Sequence, residues 1–303
     1  MAKRTTQPAP PHTHHQHEIV DPRWLFKAGA VALLVALLFA YLTLCWLFYQ
    51  GQWQFALHPS RTVAQTPAIL GLKFEAIRFG VDATGTPQLS GWFIPSDSPE
   101  AMTALILHSG DGSISDALSS AQLLNTAHMN VLLFDYRGYG SSGGQHPTEQ
   151  IMRADADSAL AYLTGTRGIP LNRIIPFGQG IGASLATRLC TDHHELPALV
   201  LESPTGDIDA SVAHDPRSKL VPTSLLLHEH FPLAEPLGTL VTPKLIVNYT
   251  NGAAPLDARR AANPKMTVEF PHKDDIAYVQ TLTRFFDLYI PNRPPPFLAP
   301  KPQ

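Results

Sequence analysis

The chain has 303 residues, enough for one large domain of up to roughly 250 residues plus an appendage. Its 44% hydrophobic content supports a sizeable core and excludes disorder throughout, while 16% charged residues fall well below the roughly 25% of an ordinary soluble domain. A formal net charge of −3 leaves no global attraction to nucleic acid, and two cysteines, Cys45 and Cys190, allow neither a disulfide framework nor a cysteine-based zinc site.

Residues 1–23 are rich in Pro, Thr, Gln and His and read as a disordered polar tail. His12, His14, His15 and His17 have no carboxylate or cysteine framework around them, so a solvated tract is expected there and no metal site. Residues 24–50 read as a transmembrane anchor. From Ala28 to Phe48 the chain is apolar over the ~20 residues that a helix needs to cross ~30 Å of hydrocarbon. Trp24, Trp46, Tyr49 and Trp53 stand where aromatic belts form. The bulky Trp46-Leu47-Phe48-Tyr49 is unlike a signal-peptidase site, so the anchor is expected to stay attached. Lys3, Arg4, Arg23 and Lys27 precede the span and the first basic residue after it is Arg61. The positive-inside rule then predicts a single-pass protein of the cell (inner) membrane, amino terminus cytoplasmic, globular part outside the cytoplasm.

From residue 51 to 290 short β-patterned runs alternate with helical spacing. Leu72–Phe79 and Leu89–Pro95 read as two strands joined by the turn-rich Asp82-Ala83-Thr84-Gly85. Thr103–His108, Val131–Asp135, Ile174–Phe177, Ala198–Leu201, Lys244–Asn248 and Thr267–Phe270 continue the series, and Met152, Ala156, Ala159, Leu160 and Leu163 follow a helical period. This alternation predicts an α/β fold with a mainly parallel sheet flanked by helices. Residues 205–240 carry four prolines and read as an irregular cap or excursion, and residues 291–303 as a Pro-rich tail.

Three segments, Leu105–Gly112, Val131–Gly143 and Phe177–Gly182, in that order, resemble the α/β-hydrolase superfamily, in particular membrane-anchored bacterial members similar to serine aminopeptidases and acyl-thioesterases. Leu105-Ile106-Leu107-His108-Ser109-Gly110-Asp111-Gly112 is similar to the strand and His-Gly loop that supply an oxyanion-hole N–H. Val131-Leu132-Leu133-Phe134-Asp135-Tyr136-Arg137-Gly138-Tyr139-Gly140-Ser141-Ser142-Gly143 resembles the family's next strand and loop, and Phe177-Gly178-Gln179-Gly180-Ile181-Gly182 falls at the nucleophile elbow. The resemblance implies pocket roles for Ser109, Gly110 and Ile181.

The chemical positions depart from the pattern. The elbow serine is replaced by Gly180, which has no hydroxyl. Where the resemblance implies an acid, the chain reads Asn251-Gly252-Ala253-Ala254-Pro255, and the nearest carboxylate is Asp257. At the base it places Lys273 or Asp274, or His272 if a short gap is tolerated. Ser109 also stands where the family usually has glycine. Without serine and carboxylate a histidine alone cannot run an acyl-enzyme cycle. The expected protein is a pseudoenzyme that needs no cofactor or metal and binds a protein partner or a small acyl or carboxylate ligand. Two alternatives stay open. One is an active esterase, thioesterase or peptidase using Ser109 or Ser184 with His272. The other is a dinucleotide-binding protein in which Gly178, Gly180 and Ala183 fit G-x-G-x-x-G/A, with Glu202 about 20 residues further on.

Overall fold

The computed structural model describes residues 22–98, 100–209, 212, 215–250, 258–271 and 275–291. The chain divides into two compact units, one ending at Leu47 and the other beginning at Phe48. The first holds most of α1, Pro22–Gly51, whose 30 residues span ~45 Å at helical rise. Almost all its side chains are exposed, Leu34, Leu38 and Phe39 among them, so this apolar helix is not a soluble core element. Among the described residues it is the one helix long and apolar enough to cross a membrane.

The second unit is built on an eight-stranded sheet: β1 Glu75–Val81, β2 Pro87–Ile94, β3 Thr103–Leu107, β4 Asn130–Asp135, β5 Ile174–Gln179, β6 Leu199–Glu202, β7 Lys244–Tyr249 and β8 Lys265–Phe270. The spatial order is β8-β7-β6-β5-β3-β4-β2-β1. β2 runs antiparallel to both β1 and β4, and every other neighbouring pair is parallel. β3 and β6 are buried at every position, which is why they read as unbroken apolar runs with no alternation. The β1–β2 hairpin closes on Asp82, whose Oδ1 accepts the Thr84 and Thr86 N–H groups at 2.8 and 3.0 Å. β1 begins at Glu75 and not at Leu72, because Leu72 and Phe74 pack on the core ahead of the strand and the Leu72 N–H is taken by Pro67 O.

Helices α2 Leu118–Thr126, α3 Glu149–Ala161, α4 Gly182–Asp192, α5 Ala234–Thr239 and α6 Asp275–Tyr289 accompany the strands. α3 starts at Thr148, whose hydroxyl accepts the Ile151 N–H, and it buries Met152, Ala156, Ala159 and Leu160 on one face, as their spacing predicts. Its buried Asp155 grips Arg137, accepting the backbone N–H at 2.7 Å and Nε at 2.6 Å, and so holds the loop after β4. Among the described residues of 205–240 the helical pieces are short, Pro216–Leu220, Thr223–Leu226 and α5 among them. Because β4 and β5 flank β3 on opposite sides, the carboxyl ends of β3 and β5 form a topological switch point, where α/β sheets bind ligands.

Candidate functional site

The turn from β5 into α4 is tight because of its glycines. A Cβ on Gly178 would lie 2.6 Å from Ala183 Cα, and one on Gly182 would lie 2.1 Å from Leu107 O, so side chains there would push α4 off the sheet. Gly180 sits between them at φ +51°, in the left-handed region. Its N–H donates to Glu202 O at 3.2 Å, and its carbonyl accepts the Thr205 N–H at 2.9 Å and the Ala183 N–H at 3.1 Å. A Cβ built on Gly180 would point at Ser109, 3.1 Å from its Cβ, with Thr205 Oγ1 at 3.7 Å. This backbone is an elbow without a nucleophile.

Gly180 and Ile181 line a cavity of about 330 Å³ together with Ser109 and Gly110, so the three expected pocket residues meet beside the expected nucleophile position. Among the described residues neither the Ser109 nor the Ile181 N–H has an acceptor. An oxyanion hole requires two such N–H groups converging on one point. The His-Gly loop is held from behind by the Tyr136 and Tyr139 hydroxyls, which donate to His108 O at 3.2 Å and Gly110 O at 2.8 Å. The same rings enclose His108, with centroids at 4.5 and 5.2 Å. Burial pulls the His108 pKa down to about 4, so the ring is neutral at pH 7. Its Nδ1 lies 2.8 Å from Ser109 O and must carry the proton, which leaves Nε2 a buried acceptor with no donor among the described residues.

Asp135 ends β4 fully buried, accepting the Ile114 N–H at 2.9 Å and the Ser141 N–H at 3.4 Å. Desolvation raises its pKa to about 6, the N–H groups opposing the shift. The segment that most resembles the hydrolases thus supports the site from behind: its tyrosines and aspartate fix the loop from His108 to Ile114, one wall of the cavity.

Ser184, one of the two candidate nucleophiles, does not line this cavity. It is buried, and its Oγ donates to Pro232 O at 2.8 Å. Glu202 closes the β6 end of the cavity, buried and already satisfied. It receives Ser120 Oγ at 3.1 Å, Gln179 Nε2 at 3.2 Å and the Tyr249 and Tyr278 hydroxyls at 3.0 and 3.5 Å. A ribose-binding carboxylate must face the ligand, and the glycine fingerprint here follows the fifth strand instead of opening the first βαβ unit. Both facts disfavour a dinucleotide.

Gly252, Asp257, His272, Lys273 and Asp274 lie outside the described residues. β7 and β8 are parallel to β5, so their carboxyl ends, Tyr249 and Phe270, lie at the same end of the sheet as the elbow. The cavity wall also includes residues that the sequence did not mark. Ala56 lines it, and His58–Pro59 pairs in parallel with Asp111–Gly112. That register brings His58 Nδ1 within 2.7 Å of Asp111 Oδ1, an orienting contact between residues 53 apart in sequence. No local pattern announces such a pairing.

The family profile described as Serine aminopeptidase, S33 matches residues 99–272, more than half of the chain. The chain belongs to this family. Among curated relatives, the S33 member described here is 35% identical over 162 residues to the uncharacterized protein Rv2307c of Mycobacterium tuberculosis, 53% of this chain and 56% of that protein. It is 32% identical over 147 residues to Protein bem46 of Schizosaccharomyces pombe, 48% of each chain. It is also 32% identical over 148 residues to the alpha/beta hydrolase domain-containing protein WAV2 of Arabidopsis thaliana, 48% of this chain and 47% of that one. The chain thus spans about half the length of these relatives. The esterase Pf2001 of Pyrococcus furiosus superposes with a TM-score of 0.60 at 17% identity, covering 77% of this chain and 98% of that one. An α/β-hydrolase of Vibrio vulnificus superposes with 0.59 at 19% identity, covering 76% and 87%. These two likenesses show the α/β-hydrolase fold.

Proposed function

We propose that this S33-family chain is a membrane-anchored pseudoenzyme that binds a small ligand in the cavity between Gly180 and Ser109. The observation that carries the reading is Gly180 itself: it occupies the elbow with no side chain, and a hydroxyl or thiol is what an acyl-transfer nucleophile must offer. Among the described residues the cavity lining includes Asp111, Asp116 and Glu202 and neither lysine nor arginine. Such a lining favours a neutral or cationic polar molecule over the free carboxylate that the oxyanion loop alone suggests. A carbonyl group remains compatible, since the Ser109 and Ile181 N–H groups offer it donors. α1 serves as the anchor, and the basic residues before it favour a globular part outside the cytoplasm.

A fluorophosphonate probe tests the chemistry on the full chain in detergent: no labelling is expected. One second reading has a specific observation behind it. Ser109 is the hydroxyl beside the elbow, and Asp111 orients the His58 ring through Nδ1, leaving Nε2 available as a base. Labelling that Ser109→Ala abolishes and His58→Ala weakens would replace the pseudoenzyme reading by that one. Topology is tested separately with a reporter active only outside the cytoplasm, fused after Gln303. Activity confined to a cytoplasmic reporter at that position would reverse the orientation.

A further inference from the structure

We propose that the apolar segment 220–227 of the excursion lies in the surface of the same bilayer that α1 enters, forming a second membrane contact. This rests on the anchor reading of α1.

The first observation is exposure. Leu225 is 80% exposed and Leu220 62%, on a short stretch where Pro222 is also exposed and Leu226 and Leu227 are only half-buried. Single exposed aliphatics are ordinary on a soluble surface; here one leucine precedes and the other sits on the short helical turn Thr223–Leu226, with Val221 between them turned into the core. Lys219 stands exposed immediately before it. A cation flanking exposed leucines is the pattern of an interfacial element: the leucines enter the headgroup–acyl boundary and the lysine meets anionic headgroups.

The second observation is position. The apolar run of α1 ends at Phe48, and four residues later the Gln52 side chain is 99% buried against the excursion. Its Nε2 donates to Leu226 O at 3.2 Å, and its Oε1 accepts the N–H groups of His228 at 2.7 Å and Glu229 at 3.1 Å. The Tyr49 ring packs on the His228 ring with centroids 4.5 Å apart. Tyr49 and Trp53 bracket Gln52 and are residue types that settle at the membrane–water boundary. The excursion is therefore bonded to the chain where it leaves the hydrocarbon, with Leu225 adjacent to the bonded Leu226 and within about 10 Å of Gln52. An apolar surface held at that depth is covered by lipid.

The test uses the full chain with Cys45→Ser, reconstituted into phosphatidylethanolamine–phosphatidylglycerol vesicles. Cys190 can stay, since it is buried and burial pushes its thiol pKa up. An environment-sensitive fluorophore is attached at Leu225→Cys, with Ser224→Cys as a second site on the same turn, Leu37→Cys within α1 and Val81→Cys on the exposed edge of β1. Lipids spin-labelled near the headgroup and at mid-chain are the quenchers. The expected result is quenching at positions 224 or 225 by the shallow label at least ~2-fold above that at position 81, with position 37 quenched by the deep label. Quenching at position 37 with positions 224 and 225 no different from 81 would overturn the proposal and leave the anchor standing. Absence of quenching at all four positions would overturn both.

Discussion

At position 180 any side chain has to enter the left-handed region and the space in front of Ser109. A serine there costs about 1 to 2 kcal/mol of backbone strain, and its Cβ must share the 3.1 Å approach to Ser109 Cβ. Gly180→Ser is accordingly expected to fold with a melting temperature roughly 2 to 8 °C lower, and combining it with Ser109→Gly should recover part of that loss by restoring room. Neither variant is expected to turn over short acyl esters, because a serine with no histidine oriented by a carboxylate is a weak nucleophile at neutral pH. Serine-dependent turnover that disappears on adding His272→Ala would show a working base and narrow the loss to the nucleophile alone, whereas wild-type turnover that requires Ser109 or Ser184 would sink the pseudoenzyme reading. The same scale explains why the glycines on either side are indispensable to the turn. Gly178 and Gly182 answer to packing between strand and helix, whereas the residue between them answers only to the pocket.

The elements are joined by side chains that work on backbone. Gln52, just past the end of α1, supplies one acceptor to two N–H groups of the excursion. Two glutamates fasten the same stretch to the start of α3: Glu229 Oε2 accepts the Glu149 N–H at 2.5 Å, and Glu149 Oε2 accepts the His230 and Phe231 N–H groups at 2.7 and 2.9 Å. Beyond them, the Asp207 N–H donates to Phe231 O at 2.8 Å, so the clasp continues into the 203–207 stretch, whose Ser203 and Thr205 line the cavity. Gln52→Ala leaves the buried Glu229 N–H without its acceptor, at a cost of about 1 to 3 kcal/mol. Limited proteolysis should then cut within residues 226–231 several-fold faster, with hydrogen exchange in β3 and β5 unchanged. Cleavage at the wild-type rate would mean that Gln52 does not hold the excursion.

Two buried groups give the whole molecule a pH dependence with opposing parts. Asp135, raised from 3.8 to about 6, keeps in the folded state a proton that the unfolded chain has released, so its contribution to stability falls as pH rises through that window. His108, lowered from 6.5 to about 4, stays neutral where the unfolded chain is protonated, so its contribution falls as pH drops from about 6.5 toward 4. Between about pH 4 and 6 the two slopes partly cancel. Asp135→Asn removes one of them, and the variant should lose stability more steeply than wild type on acidification across that range. Urea midpoints at three pH values within the window measure it; parallel curves for the two proteins would show that Asp135 is not protonated in the folded state. Asp155 and Glu229, whose pKa values burial also raises, are present in both proteins and drop out of the comparison.

Much of the architecture was legible in the amino-acid order alone. Buried parallel strands such as Thr103–Leu107 and Leu199–Glu202 must be largely apolar, and α3 must repeat its small and apolar residues at helical spacing, so burial writes each element into its own stretch of chain. The missing hydroxyl at position 180 was equally plain, since the identity of a residue needs no structure to read. The sequence could not show the company those residues keep. Glu202 followed the glycine fingerprint at the spacing of a ribose ligand, and only the packing of α2, β5, β7 and α6 around β6 turned it into the centre of a buried hydrogen-bond cluster. His58 met Asp111, and Gln52 met Leu226 across 174 positions, because the topology folds the segment after α1 back onto the β3 loop and the excursion. Periodicity records which face of an element is buried; which distant side chain lies opposite depends on the path of the chain between them, and only the tertiary structure decides that.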